Sequence, residues 1–79
     1  MLRYNLIKNE EKKLTYEYFV EGRKEERGIC FIDLATGEAQ VEKLAKTDEF
    51  SRYAFHLLST LRSQYKENNF LDSGMVAWY

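Results

Sequence analysis

The amino-acid sequence predicts an α+β fold: a small, mostly antiparallel sheet in the element order β-β-β-β-α-β, with one helix packed across one face. Three observations predict it. Before residue 45, several short stretches alternate between apolar and polar residues or are apolar throughout, as strands are. After residue 47, one segment repeats its apolar residues at helical spacing. The chain finishes on "GMVAWY", which holds the single Trp and no charge, whereas frayed ends are usually polar.

The 79 residues are expected to form one domain, residues 1–79. Residues 2–8 alternate weakly and are read as a strand, although residues 1–13 could instead be a flexible lead. Residues 13–20 are a clearer strand, with two faces of different character. One face carries Leu14, Tyr16, Tyr18 and Val20, and the other carries Thr15, Glu17 and Phe19. The charged stretch of residues 21–28 is expected to be an exposed loop.

Residues 29–34, "ICFIDL", are apolar on both faces, which favours a central strand. The following "DLATGE" predicts a hairpin turn. Asp33 can accept a hydrogen bond from the turn backbone, and Gly37 can adopt the positive φ that closes a bulged turn. Residues 38–44 then alternate as a fourth strand, with Ala39 and Val41 on one side.

The helix is expected to begin with Thr47 or Asp48 as its cap, because both side chains can accept hydrogen bonds from the first turn. Its end is expected near Lys66 to Asn68, where two asparagines favour a C-cap. The residues of its apolar stripe fall within about 140° of arc. They are Phe50, Tyr53, Ala54, Leu57, Leu58, Leu61 and Tyr65.

Gly74 is expected to break the chain ahead of a final strand, residues 75–79. Burial of Trp78 in that strand would contribute about 2–3 kcal/mol. Removal of the last five residues is therefore expected to abolish folding. The strand could pair beside either the first or the fourth strand, and the sequence does not decide between them.

Two aromatic residues do not fit a core covered on one side. Phe19 lies on the strand face opposite the tyrosines, and Phe55 lies about 120° from the centre of the helical apolar stripe. Phe55 could be covered by Phe70 and Leu71, and Phe19 could be a lone exposed aromatic. Taken together they suggest a second apolar surface, so Phe19 and Phe55 are possible interface residues of a homodimer.

Composition argues against several classes of protein. The net charge is −1, which argues against a dedicated nucleic-acid binder, since phosphate binding needs a basic excess, although a local basic patch could still exist. No stretch approaches the length of apolar sequence that spans a bilayer. With one cysteine, Cys30, there is no disulfide within the chain, and Cys30 and the single histidine His56 are too few for a zinc site. We expect a cytoplasmic protein with no membrane partner.

No catalytic, cofactor-binding or metal-ligating residue is predicted. His56 has no carboxylate three or four residues away on the helix, so a solvent-facing histidine is favoured over a general base. Cys30 is favoured as a small core residue. Glu38 and Glu42 could bind a cation, but a solvated surface is favoured. Tyrosines of "TYEYF" could stack nucleobases, but their register with aliphatic residues favours core packing.

The segments "YEYFVEG", "DLATGE", "TDEFSRYAFHLL" and "GMVAWY" resemble a family of short uncharacterised bacterial proteins, over about residues 14 to 79. The resemblance implies no activity, cofactor or catalytic residue. We expect a small non-enzymatic module that self-associates through a sheet face or edge. The alternative is a small-ligand or nucleic-acid binding module that uses sheet aromatics beside the 22–28 loop.

Overall fold

The computed structural model describes residues 2–20, 27–46, 48 and 52–76. In this part of the chain five strands and one helix follow each other in the predicted order. They are β1 Leu2–Glu10, β2 Lys13–Val20, β3 Gly28–Asp33, β4 Ala39–Lys43, α1 Arg52–Glu67 and β5 Ser73–Val76. All strand pairs are antiparallel, and the sheet order is β4-β3-β2-β1-β5. The α+β fold with one helix across one face of a sheet is confirmed.

Strand β1 settles two points that the sequence left open. It pairs with β2 on one side and with β5 on the other, so the first residues are an inner strand and not a flexible lead. Leu2 stands opposite both Val20 and Val76, and it is fully buried. The final strand therefore pairs beside the first strand and not beside the fourth. The predicted burial of Trp78 lies outside the described residues.

The core lies between α1 and the face of the sheet that carries the tyrosines. The predicted inner face of β2 is confirmed, because Leu14, Tyr16, Tyr18 and Val20 are all buried. The predicted helical stripe is confirmed at four described positions, which are also buried: Ala54, Leu57, Leu58 and Leu61. The rings of Tyr4 and Tyr16 meet edge to face, with centroids 5.6 Å apart. This geometry is the one that aromatic quadrupoles favour.

The turn between β3 and β4 forms as the sequence predicts. The Asp33 carboxylate accepts a hydrogen bond from the Ala35 N–H at 2.8 Å, and the Asp33 carbonyl accepts one from the Gly37 N–H at 2.7 Å. Gly37 has a φ of 80°, in the left-handed region that a side chain disfavours. The short sequence "DLATGE" thus fixes the register in which β4 leaves β3.

Helix α1 is capped from a distance. Asp48 lies before the first helical residue, Arg52, yet its carboxylate accepts hydrogen bonds at 2.8 Å from the N–H groups of Tyr53 and Ala54. The prediction of Asp48 as the capping side chain is confirmed. At the other end Asn68 has a φ of 52°, which confirms the predicted C-cap. The predicted core residue Phe50 lies outside the described residues.

Gly74 does not break the chain ahead of the last strand, as predicted, but lies inside β5. The reason is space. A Cβ atom at Gly74 would lie 2.6 Å from the hydroxyl oxygen of Tyr4, opposite it on β1. Glycine is therefore required by the close approach of a neighbouring side chain rather than by a turn.

Candidate interaction surfaces

Strand β4 is an edge of the sheet, and no described strand pairs with its outer side. The Asp33 N–H donates a hydrogen bond to the Glu38 carbonyl at 2.8 Å, so these two residues form a hydrogen-bonded pair. Along an antiparallel ladder, hydrogen-bonded pairs alternate with pairs whose peptide groups point away from the partner strand. By that alternation Gln40 turns its peptide groups towards β3, while Ala39 and Val41 turn theirs away from the sheet. The Ala39 carbonyl accepts one long contact, 3.5 Å, from the Arg62 guanidinium. Such an edge is a template for a further strand.

A groove runs between this edge and α1, with a volume of about 690 Å³. We name it the β4 groove. Its lining is Ala39, Gln40, Val41, Glu42, Leu44, Phe55, Leu58 and Arg62. Two of its apolar side chains are exposed: Leu44 is 43% exposed and Phe55 is 60% exposed. Because these large apolar side chains share one exposed groove, the β4 groove is a candidate contact surface.

Phe55, one of the two predicted interface residues, thus lies in the β4 groove. The alternative, that Phe70 and Leu71 cover Phe55, is wrong, since Phe55 is 60% exposed. Leu44, which follows the last residue of β4, was not predicted as an interface residue. The alternation of Ala39 and Val41 ends before it, so the strand pattern assigns Leu44 to neither face.

Phe19, the other predicted interface residue, lies on a different surface. It stands opposite Arg3 on the sheet face that α1 does not cover, which we name the open face. There Arg3, Phe19 and Met75 line a depression of about 450 Å³. Phe19 and Phe55 are therefore not brought together. The second apolar surface predicted from the sequence is two surfaces, one at the edge groove and one on the open face.

Apolar and charged side chains share the open face. Phe19, Ile29 and Phe31 are half-buried on it. The Lys13 ammonium lies 4.3 Å above the centroid of the Phe31 ring, a cation–π contact. Glu17 accepts hydrogen bonds from Arg27, at 2.9 Å, and from Asn5, at 3.3 Å.

A buried hydrogen-bond network holds α1 over the sheet beside the β4 groove. The Tyr18 hydroxyl donates to the Asp48 carboxylate at 2.7 Å and accepts from the Ala45 N–H at 3.1 Å. Desolvation by burial raises the pKa of Tyr18 well above its ordinary value, so it stays a hydrogen-bond donor. Because Asp48 also caps α1, one carboxylate joins β2, the segment after β4 and the helix.

A second network joins the far end of α1 to the sheet. Gln64 donates to the Tyr4 hydroxyl at 2.9 Å and accepts from the Leu71 N–H at 3.4 Å. The Tyr16 hydroxyl donates to the Leu71 carbonyl at 3.1 Å. Burial, the largest cause, raises the pKa of Tyr16 to about 12. These contacts set the height of the helix over the core.

The side chains considered for chemistry are separated. His56 is half-buried on α1, near Arg52 and Ser59, and not fully solvent-facing. Cys30 is fully buried in β3, and desolvation raises the pKa of its thiol to about 12, so a reactive thiolate is disfavoured. Among the described residues no three His, Cys, Asp or Glu side chains group as metal ligands would. Glu38 and Glu42 accordingly belong to no such cluster.

No helix in the described part of the chain is long and apolar enough to cross a membrane. Comparison with protein-family models, curated proteins and solved structures finds no match to this chain. The resemblance to short bacterial proteins stays a prediction.

Proposed function

We propose that the protein is a non-enzymatic module that self-associates by pairing its β4 edge with the β4 edge of a second copy. One observation carries the proposal: the outward peptide groups of Ala39 and Val41 lie directly beside the exposed Leu44 and Phe55 of the β4 groove. Strand addition supplies main-chain hydrogen bonds, and the groove supplies apolar area.

The register of this β4–β4 pair follows from the direction in which each β4 residue turns its peptide groups. An antiparallel pair with its two-fold axis at Gln40 places Ala39 of each copy opposite Val41 of the other. Both residues turn their N–H and C=O outward, so both pairs exchange hydrogen bonds. At the axis each Gln40 meets its own copy, and an amide is self-complementary because it both donates and accepts.

The same symmetry completes the groove. A two-fold axis perpendicular to the sheet keeps both helices on one side of the enlarged sheet. The two β4 grooves then face each other, and Phe55 of each copy is covered by the other groove. The groove also holds one carboxylate, Glu42, and one guanidinium, Arg62, which can pair across the axis.

Val41→Pro tests the edge directly. Proline removes the outward N–H, and the ladder to β3 does not use that N–H, so the fold is expected to persist. Wild-type protein is expected to show the mass of two chains by sedimentation at micromolar concentrations, and Val41→Pro the mass of one. Val41→Ala keeps the N–H and is the matched control. A wild-type mass of one chain would contradict the proposal.

Gln40→Cys tests the register. Residues of a non-hydrogen-bonded antiparallel pair have Cα atoms about 4.5 Å apart, within the range that a disulfide spans. Gln40→Cys is expected to oxidise to a covalent dimer, while Ser63→Cys on the exposed side of α1 is not. Equal cross-linking of both variants would refute pairing at Gln40. Buried Cys30 does not compete in this assay.

We also infer a cytoplasmic location. It is supported by the use of the single cysteine as a buried core side chain, in a fold that has no need of an oxidising compartment.

A further inference from the structure

We propose that the open face of the sheet binds single-stranded nucleic acid, with bases stacked on Phe19 and Phe31 and phosphates bound by Arg3, Lys8 and Lys43. The inference stands independently of the pairing of β4, because it uses the opposite side of the sheet from the β4 groove. It also departs from the expectation, drawn from the net charge, that nucleic acid is an improbable partner.

The strand registers place these side chains on one surface. Arg3 stands opposite Phe19, and Lys8 stands opposite Thr15, which in turn stands opposite Phe31. Lys43 stands opposite Ile29. Side chains that face each other across neighbouring strands project from the same face of a sheet, so all of them lie on the open face.

The two aromatic rings are spaced as separate platforms. Phe19 lies four residues along β2 from Thr15, the residue opposite Phe31. With a rise of about 3.3 Å per residue and about 4.8 Å between strands, their Cα atoms are about 14 Å apart. Both rings are half-buried, so each is held in place while part of its surface stays in solvent. The Lys13 ammonium lies over the Phe31 ring, so a base that stacks there displaces this mobile side chain, which then faces the phosphates. Rings fixed on an open antiparallel sheet are the means by which small domains stack unpaired bases.

Charge is segregated on this face. Across its middle, Arg3, Lys8 and Lys43 are exposed cations, and the one carboxylate there among the described residues, Glu17, is already paired with Arg27. The other carboxylates on this side, Glu10, Asp33 and Glu38, lie at the two hairpin ends. The basic excess is therefore local, in a chain whose net charge is −1. A polyanion matches this surface.

A second copy of the chain is a poorer occupant. Face-to-face packing of two open faces would bury the exposed cations Arg3, Lys8 and Lys43 of both copies in one contact. Like charges at a contact oppose association. The aromatic rings and the cations are satisfied together by a ligand that carries both flat apolar groups and negative charge.

Fluorescence anisotropy with labelled oligo-dT and oligo-U of about 12 nucleotides, at low salt, tests the inference with the full chain. Wild-type protein is expected to bind, with affinity that falls as salt rises. Phe19→Ala and Phe31→Ala are each expected to weaken binding about tenfold, the loss of one stacked base. The matched control Phe55→Ala, on the other side of the molecule, is expected to leave binding unchanged.

Charge is tested by Arg3→Glu against Lys66→Glu, two cation-to-carboxylate changes of which only the first lies on the open face. Arg3→Glu is expected to weaken binding and to lower the salt dependence, and Lys66→Glu to do neither. Because thymine carries a methyl group that uracil lacks, the sugar preference is measured by comparing oligo-dU with oligo-U. Equal losses in both variants, full competition by base-free polyphosphate, or no binding at low salt would each overturn the inference. The Val41→Pro variant, which is expected to be a monomer, is expected to bind the oligonucleotides as well. Its binding would show that nucleic-acid binding does not depend on self-association through β4.

Discussion

Asp48 is the side chain on which the junction between sheet and helix most depends, and Asp48→Ala is expected to destabilise the protein strongly. Its carboxylate accepts from the Tyr18 hydroxyl at 2.7 Å and from the N–H groups of Tyr53 and Ala54 at 2.8 Å. The side chain is 3% exposed, so little water reaches the three donors. Alanine would leave them without their acceptor.

The expected cost is built from two parts. Loss of a helix cap costs about 1–2 kcal/mol. A buried hydroxyl left without an acceptor costs about 1–3 kcal/mol. We expect a total of about 3 kcal/mol, which is a large share of the stability of a domain of this size, about 4–12 kcal/mol. The melting temperature would fall by about 12–24 °C, at about 4–8 °C for each kcal/mol.

Urea unfolding followed by far-ultraviolet circular dichroism measures the loss, with Glu67→Ala at the exposed end of α1 as the control. Tyr18→Phe and the double variant complete a thermodynamic cycle. A coupling of about 1–3 kcal/mol between Asp48 and Tyr18 is expected for groups in direct contact. A loss below about 1 kcal/mol for Asp48→Ala would show that the network does not join helix to sheet.

Three further results are expected. Gly28→Ala places a Cβ against the Tyr18 ring and should cost about 2–3 kcal/mol by overpacking, so an unchanged urea midpoint would contradict the contact. Cys30 should react with a thiol reagent at pH 8 no faster than the protein unfolds; rapid reaction of folded protein would refute its burial. The raised folded pKa of Tyr16, about 12, stabilises the fold fully below pH 10, and this contribution should be lost as pH rises from 10 towards 12. Stability measured at pH 9 and 11 checks the sign, and Tyr16→Phe should show a smaller alkaline loss.

Regular spacing made most of the fold predictable. The alternation of Leu14, Tyr16 and Tyr18 and the helical repeat of Leu57 and Leu61 each name a buried face, because burial follows the period of the element. Turn chemistry at Asp33 and Gly37 was equally local. Such features are properties of neighbouring residues and need no knowledge of the partner strand.

Features that depend on contacts between residues distant in the chain could not be predicted from the sequence. Gly74 looked like a break because its reason, the hydroxyl of Tyr4, lies on another strand. Gln64 interrupts the apolar stripe of α1, and its burial makes sense only beside Tyr4 and Leu71. A polar residue among leucines gives no sign of a buried partner.

The candidate surfaces were likewise predicted only in part from the sequence. Phe19 and Phe55 could be singled out because each departs from the pattern of its own element. Their separation onto two sides of the molecule, and the addition of Leu44 to one of them, required the sheet order. Segregation of charge on the open face was hidden by a net charge that sums over both sides.

The position of β5 has a consequence for the newly made chain. Strands β1 to β4 form a meander of neighbouring hairpins that can assemble as synthesis proceeds, but Val76 must find Leu2 across 74 residues (76 − 2). Each doubling of a loop adds only about 0.6 kcal/mol of closure entropy, so distance alone does not prevent this step. Until β5 has docked, however, β1 is an unpaired edge of the sheet. A chain in this state can pair its β1 edge with a strand of a neighbouring copy, so the interval before β5 docks carries the greatest risk of aggregation.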